Sequence, residues 1–405
     1  MIFTSNPFTV SDDIELKIKE LASQYATEFV AVRRHLHAHP ELSYKEFETS
    51  LYIQKKLTEL NIPFEVKATT GVIGLIKGRN PEKRVVALRG DMDALPIEEK
   101  NDVPYKSTNP GIMHACGHDV HTTCLLGAAK ILSSLKNEWE GTVKLIFQPG
   151  EEKNPGGASL LIKEGVLENP APQNIFALHV HPGLAVGKLS FRGGMVMASA
   201  DEIYITISAR GGHAAAPQNT PDTILIAAHL IVSLQQIISR NNDPFNPSVL
   251  SITSFQGGST TNVIPSEVKL MGTFRAMDEV WRFKAHELIT KMATELVQSM
   301  GAEIDLKIDV GYPFVLNNAA LSKAAHKKAV SYLGPDKVEE TELRMGAEDF
   351  AYYSHRIPGC FFRLGVGNLA KGISIGVHTP TFNIDEDAIE IGMGMMAVFG
   401  ATAAE

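Results

Sequence analysis

The stretch Thr142–Glu152, TVKLIFQPGEE, decides the fold. A mostly apolar run of strand length, closed by Gln-Pro-Gly, predicts a strand buried on both faces, the kind found in parallel sheets covered by helices. Arg84–Gly90 (RVVALRG) and Asn174–Val180 (NIFALHV) are runs of the same kind. Each ends in polar residues: Glu151 and Glu152 after the first, Asp91 and Asp93 after the second, His179 and His181 at the end of the third. The apolar GISIGV, read as a strand over Gly372–Val377, leads likewise to His378. In an open α/β sheet, ligands bind at the carboxyl ends of the strands, so these residues are expected to share one edge.

Outward from these strands, helices are predicted around Asp13–His39, at Phe47–Asn61, from Asp119 as cap to Leu135, and at Ala319–Leu333, with a further strand at Cys360–Val366. The middle of the chain changes character. Asp201–Ala209 (DEIYITISA) and Ala302–Val310 (AEIDLKIDV) alternate like half-exposed strands. Between them come a helix opened by Thr220-Pro221-Asp222 with Thr220 as cap, strands at Ser248–Phe255 and Glu267–Arg275, and a helix capped by Asp278 and closed by Gly301. That order, β-α-β-β-α-β, is the ferredoxin-like unit. The expected fold is therefore α/β: a mostly parallel mixed sheet with helices on both faces over 1–190 and 312–405, carrying an inserted α+β domain over 191–311. There are no repeats and no low-complexity linker.

At 405 residues the chain exceeds what one core usually serves. Its formal charge of −8 and its lack of a Lys/Arg cluster argue against nucleic acid or an anionic membrane as partner. The opening MIFTSNPFTVSDD lacks the pattern of a secretory signal, no run of about 18 apolar residues predicts a membrane span, and three scattered cysteines suit a reducing cytoplasm.

The chemistry gathers around Met113–Thr123, MHACGHDVHTT. Thiolate, imidazole and carboxylate suit zinc and neighbouring dications; zinc is favoured by the thiolate, with manganese, nickel or cobalt open. Cys116, His118, Glu152, His179 and His378 exceed what one tetrahedral ion needs, which predicts two divalent ions per chain. The pair Glu151-Glu152 can supply one ligand and one base. His114 and His121 are candidates for orienting a ligand, and Asp93 for orienting an imidazole. His35, His37 and His39 read as a solvated or capping cluster, Cys124 and Cys360 as core, and Met195 and Met197 as packing.

Taken with QPGEE (Gln148–Glu152), MHACGHDVHTT is joined by GGHAAAP (Gly211–Pro217), TNVIP (Thr261–Pro265), GTFRA (Gly272–Ala276), GAEDF (Gly346–Phe350), HTPTF (His378–Phe382) and RRHLHAHPELSYKEFET (Arg33–Thr49). This set resembles the aminoacylase/carboxypeptidase family of dinuclear metallohydrolases, in the subgroup of hippurate hydrolases, indoleacetyl-amino-acid hydrolases and N-acyl-amino-acid amidohydrolases. The resemblance implies that Cys116, His118, Glu152, His179 and His378 hold metal and that Glu151 is the general acid/base. It implies that His213 and Asn262 bind the oxyanion, His213 serving the other subunit of a homodimer formed through the insert, and that Arg275 anchors the substrate carboxylate. More distant members carry His-x-Asp where this chain has Asp91-Met92-Asp93, which leaves the role of Asp91 open. The expected activity is hydrolysis of N-acyl amino acids; the alternatives are a carboxypeptidase or dipeptidase of the same chemistry and a non-catalytic metal-binding protein.

Overall fold

The computed structural model describes residues 10–402; the opening segment, whose pattern does not predict a secretory signal, lies outside them up to residue 9. The chain divides into two compact units. One takes the chain to Val196, Leu316–Glu342 and the part from Asp349 on; the other takes Met197–Val315 and Leu343–Glu348.

The first unit is built on an eight-stranded sheet. Its strands are β1 (Phe64–Lys67), β2 (Gly71–Lys77), β3 (Val85–Asp91), β4 (Thr142–Gln148), β5 (Asn174–Ala185) and β6 (Leu189–Phe191), with Val338–Glu340 and Gly359–Gly367. The order across the sheet is β1, β2, β4, β3, β5, Gly359–Gly367, β6, Val338–Glu340. β3 is parallel to β4 and β5, and β5 to Gly359–Gly367, while β1–β2 and β2–β4 are antiparallel. β4 and Gly359–Gly367 are buried along their whole length, as a sheet covered on both faces requires. Even Lys144 is buried in β4; its Nζ reaches the carbonyls of Val166 at 2.8 Å and Glu168 at 2.6 Å.

Helices α2 (Phe47–Glu59), α3 (His118–Ser134) and a C-terminal helix, Ala388–Ala401, pack on the sheet, and α1 (Val10–Ala38) packs on α3 and the C-terminal helix. The sequence pattern hid that last helix. AIEIGMGMMAVFGA is apolar on nearly all sides and rich in glycine, so it shows no amphipathic period; it is a core helix, buried at every residue but Glu390 and Ile391. Its Phe399 stacks on Phe176 of β5 at 4.4 Å between ring centroids.

The second unit has the predicted β-α-β-β-α-β order. Its antiparallel sheet runs Ser248–Gln256, Glu267–Ala276, Asp201–Ser208, Glu303–Val310. Ile203, Ile205 and Ile207 alternate inward and are buried against the helices Thr223–Gln236 and Glu279–Ser299. Asp278 caps the second helix, accepting the Trp281 N–H at 2.6 Å, and Gly301 follows its end with φ +85°. The segment Thr223–Asn241 is long and apolar enough, by length and composition, to cross a membrane. Its Ile226, Ala227, Leu230, Leu234 and Ile237 are buried in the core of this unit.

Four local expectations are corrected. The cap of Thr223–Gln236 is Asp222, whose carboxylate accepts from the N–H groups of Ile224 and Leu225 at 3.0 Å each; Thr220 lies before Pro221 and outside the first turn. Asp119 sits inside the first turn of α3, with Gly117 as cap, because Arg33 Nε (2.7 Å) and His37 Nδ1 (2.8 Å) hold its carboxylate. His37 is accordingly buried, with Nε2 3.1 Å from Glu99, and does not belong to a solvated cluster; His35 and His39 are exposed. Gly372–Val377 is a loop and not a strand: its residues pair with no strand of the sheet, and Ile373 makes only a single bridge to Asn368, beyond the end of Gly359–Gly367.

Candidate metal centre

β3 and β4 end side by side and deliver Asp91, Asp93, Glu151 and Glu152 to one sheet edge. His179 comes from within β5, and α3 opens with Cys116-Gly117-His118. Gly117 has φ +85°, and a Cβ there would lie 2.5 Å from Val180 Cγ2; only glycine lets the chain turn here and place Cys116 and His118 on either side. His378 arrives on its loop with φ +62°, a strained value for a residue with a side chain, pinned by its N–H to the Ala115 carbonyl at 2.7 Å.

The structure brings the expected ligands together. Donor atoms of Cys116, His118 and His179 lie within 4.8 Å of one another, as do those of Cys116, Glu152 and His378, and those of His118, Glu151 and Glu152. The Cys116 Sγ is 3.4 Å from His179 Nε2, and the Glu152 Oε1 is 3.2 Å from His378 Nε2.

Hydrogen bonds fix which nitrogen of each ring faces this space. His118 Nδ1 donates to Asp93 Oδ1 at 3.1 Å, and His179 Nδ1 donates to the Val180 carbonyl at 2.8 Å. In both rings that leaves Nε2 directed into the cluster, the arrangement in which an outer acceptor turns a ring toward a metal. His121 is different. Its Nδ1 donates to Asp91 at 2.6 Å while its Nε2 accepts the Val180 N–H at 2.9 Å, so neither nitrogen is open for a metal. His121 therefore orients Asp91. Asp91 itself is occupied on both oxygens, by His121 and by Arg89 Nη1 at 2.7 Å, and Arg89 continues to Asp349 of the GAEDF motif at 2.9 Å.

Asp93 does two jobs. Besides His118, it accepts the N–H groups of Glu151 and Glu152 at 3.0 Å each and the Ser43 hydroxyl at 2.6 Å. One aspartate thus sets both an imidazole and the loop that carries the paired glutamates.

Charge in the cluster is unbalanced. Burial opposes a proton on His118, yet Asp91, Asp93 and Glu152 outweigh it and push that imidazole up to about 10. Burial, with Glu152 and Glu151 nearby, pushes the Cys116 thiol well up. Burial beside His121 and Arg363 holds His179 neutral. Among the described residues, the buried His118 Nε2 has no hydrogen-bond partner, while Glu152 Oε1 has the His378 ring nitrogen at 3.2 Å. Surplus carboxylate, a thiol that would ionise only beside a cation, and an orphaned donor atom are what a site for divalent cations shows before its charge is compensated. The residues fit such ions. His114 is also buried with both ring nitrogens unpartnered among the described residues, and burial lowers it to about 4.

His213, Asn262 and Arg275 belong to the second unit. His213 pairs with Val263 between two short strands, and the Ala214 N–H donates to the Asn262 carbonyl at 3.0 Å, so His213 and Asn262 are neighbours on an exposed edge. The Ala215 N–H donates to His213 Nδ1 at 3.1 Å, which places the ring proton on Nε2. Arg275 is half-buried; burial lowers its guanidinium, and among the described residues it is paired with no carboxylate. Cys124 and Cys360 are buried in the core, Met197 is buried and Met195 is partly exposed.

Sequence comparison agrees with this geometry. Residues 87–400 match peptidase family M20/M25/M40. The chain is 41% identical over 376 residues to IAA-amino acid hydrolase ILR1-like 5 of Arabidopsis thaliana, covering 91% of this chain and 85% of that one. It is 38% identical over 395 residues to the N-acetyl-L-cysteine deacetylase of Bacillus subtilis (95% and 91% covered). It is likewise 38% identical over 385 residues to thermostable carboxypeptidase 2 of Saccharolobus solfataricus (94% and 96% covered). A crystal structure of a dinuclear metal binding peptidase of Bacillus subtilis superposes with a TM-score of 0.81 at 35% identity, covering 94% of this chain and 98% of that one. The chain belongs to peptidase family M20/M25/M40 and is a metal-dependent hydrolase of amide bonds.

Proposed function

We propose that the protein hydrolyses the amide bond of N-acyl amino acids, releasing a carboxylic acid and a free amino acid. The observation that carries this reading is the convergence of Cys116, His118, Glu152, His179 and His378 with Glu151 at one sheet edge. In this reading those five residues hold two divalent ions, zinc first by the preference of the thiolate, with manganese, nickel or cobalt served by the same imidazoles and carboxylates. The ions supply Lewis-acid chemistry, polarising the acyl carbonyl and acidifying water.

The chain's own residues do the rest. Glu151 takes the proton of water as its oxygen adds to the acyl carbon. It then gives that proton to the amide nitrogen as the C–N bond breaks. His213, with its proton on Nε2, and Asn262 donate to the oxyanion, and Arg275 binds the substrate's α-carboxylate. The protein acts as a homodimer through the inserted unit, His213 serving the partner's site. The exposure of Leu225 (49%) and Val232 (73%) on one helix of that unit supports such a contact. Three free cysteines, all buried, suit a cytoplasmic setting.

Names of relatives point to two substrate classes, acyl amino acids and peptides. The test is turnover of N-acetyl, N-benzoyl and indoleacetyl amino acids beside dipeptides, with metal content measured on the same protein and on Glu151→Gln. Expected are about two ions per chain, preference for the acyl amino acids, and a Glu151→Gln protein that keeps its metal and retains only a small, measurable residual turnover. Faster cleavage of dipeptides would replace the proposal with a carboxypeptidase or dipeptidase. Metal without turnover on either panel would leave a metal-binding protein.

A further inference from the structure

The segment Ser43-Tyr44-Lys45-Glu46, part of the Arg33–Thr49 motif, has no role in the chemistry above. The side chains of Tyr44 and Glu46 nevertheless converge on the loop after β4. Glu46 is fully buried, and its Oε1 accepts the Gly150 N–H at 2.8 Å. The same carboxylate is held by the Tyr44 N–H at 2.9 Å and the Thr70 hydroxyl at 2.8 Å. Tyr44 grips the loop further on: its hydroxyl donates to the Lys153 carbonyl at 2.5 Å and accepts the Gly156 N–H at 3.0 Å. The Tyr44 ring also lies against Gly150. That residue has φ +58°, and a Cβ there would fall 2.2 Å from Tyr44 Cε1. Ser43 completes the set by donating to Asp93, the aspartate that takes the N–H groups of Glu151 and Glu152.

Three consecutive backbone N–H groups, of Gly150, Glu151 and Glu152, therefore point into two buried carboxylates, and the loop is fastened again at Lys153 and Gly156. Fixing a backbone on both sides of a residue fixes the direction of its Cα–Cβ bond. A base that must move one proton between two defined positions depends on that direction, because reach within hydrogen-bond distance comes before basicity.

We propose that Tyr44 and Glu46 are positioning residues for Glu151: they act through the loop's backbone and touch neither substrate nor metal. The proposal rests on the reading of Glu151 as general base. It is tested with Tyr44→Phe, which keeps the ring on Gly150 and removes only the hydroxyl, and with Glu46→Gln, each alone and combined with Glu151→Gln. For each protein kcat, KM and metal per chain are measured. Expected for each single variant is a fall in kcat on the order of 10–100-fold, the usual cost of losing an outer orienting group, with KM and metal content near native. Expected in the Glu151→Gln background is no further fall, because the residue through which they act is already gone.

Native kcat in both single variants would overturn the proposal, as would a further tenfold loss on top of Glu151→Gln. Loss of metal in step with activity in both would show that they hold the ligand Glu152 and not the base. If Glu151→Gln itself turns over like native protein, the base reading fails first, and that result is distinct from each of the others. Should Glu46→Gln fold poorly, Tyr44→Phe carries the test alone.

Discussion

Asp93 in the first unit and Asp201 in the second are both buried aspartates, and each accepts four hydrogen bonds from protein groups. Asp201 takes Arg282 Nε at 2.9 Å and Nη2 at 2.5 Å, His286 Nε2 at 2.8 Å and the Gly311 N–H at 3.1 Å. Arg282 goes on to Glu279 at 2.9 Å, so the charges close on one another. Asp93 takes two backbone N–H groups, a hydroxyl and an imidazole, and its surroundings add Glu151 and Glu152, more carboxylate than the His118 ring can balance. Both sites satisfy geometry; only the second satisfies charge. Perturbed ionisation marks both clusters, so it does not separate them. A surplus of one sign, with an orphaned donor atom, does.

The comparison can be broken by experiment, and the largest effect belongs to the unbalanced cluster. Replacing His118 with Ala removes a ring nitrogen that three of the donor groups share, and activity should fall below detection with metal content reduced; native metal content in that variant would remove His118 from the ligand set. In the balanced cluster, Arg282→Met leaves the Asp201 carboxylate buried without its guanidinium. That should cost about 3–5 kcal/mol of stability, read by denaturant unfolding. Trp281 lies in this unit and Trp139 in the other, so Trp139→Phe leaves Trp281 as the reporter. A loss under about 1 kcal/mol, the range of an exposed pair, would mean that the network is not a closed one.

A smaller effect is expected at Asp93. Asp93→Asn keeps the shape but turns an acceptor into a donor on one side, and should lower kcat on the order of 10–100-fold, about 1.4–2.8 kcal/mol in the barrier. Native kcat would show that His118 and the Glu151 loop are set by other contacts.

The mildest effect is a pH dependence. Burial works against ionised Asp201, but the Arg282 and His286 bonds override it and hold the carboxyl below its usual range. A depressed folded value stabilises the protein above the unfolded pKa, about 3.9, and that stability is lost as pH falls through the folded value. The stability gap between native protein and Asp201→Asn should therefore be full at pH 6 and shrink below about pH 4. A gap unchanged down to pH 3 would contradict it.

Much of this was legible in the chain. Buried strands announce themselves by continuous apolar runs, and a polar residue directly after such a run has little choice but to sit at the sheet edge. That logic places Asp91, Asp93, Glu151 and Glu152; His179, expected at a strand end, lies within β5, which runs on to Ala185. It failed at Gly372–Val377, where an apolar run reads like a strand but finds no neighbour to pair with, and His378 reaches the cluster on a strained loop instead. It failed also at Ala388–Ala401, because a helix enclosed on nearly all sides carries no period. Asp119 read as a cap since Asp at a helix start usually is one; Arg33 and His37, more than 80 residues away, claim its carboxylate.

By itself, then, the sequence determined the residue types available at the sheet edge and the order of elements that carries them there, because both depend on local pattern. The tertiary structure alone decided which nitrogen of His118, His121 and His179 faces the cluster, that Asp91 is bound up by Arg89 and His121, and that Tyr44 and Glu46 fasten the Glu151 loop. Those outcomes depend on hydrogen bonds between residues up to about a hundred positions apart, such as Glu46 to Gly150, and no local pattern encodes the direction of a lone pair.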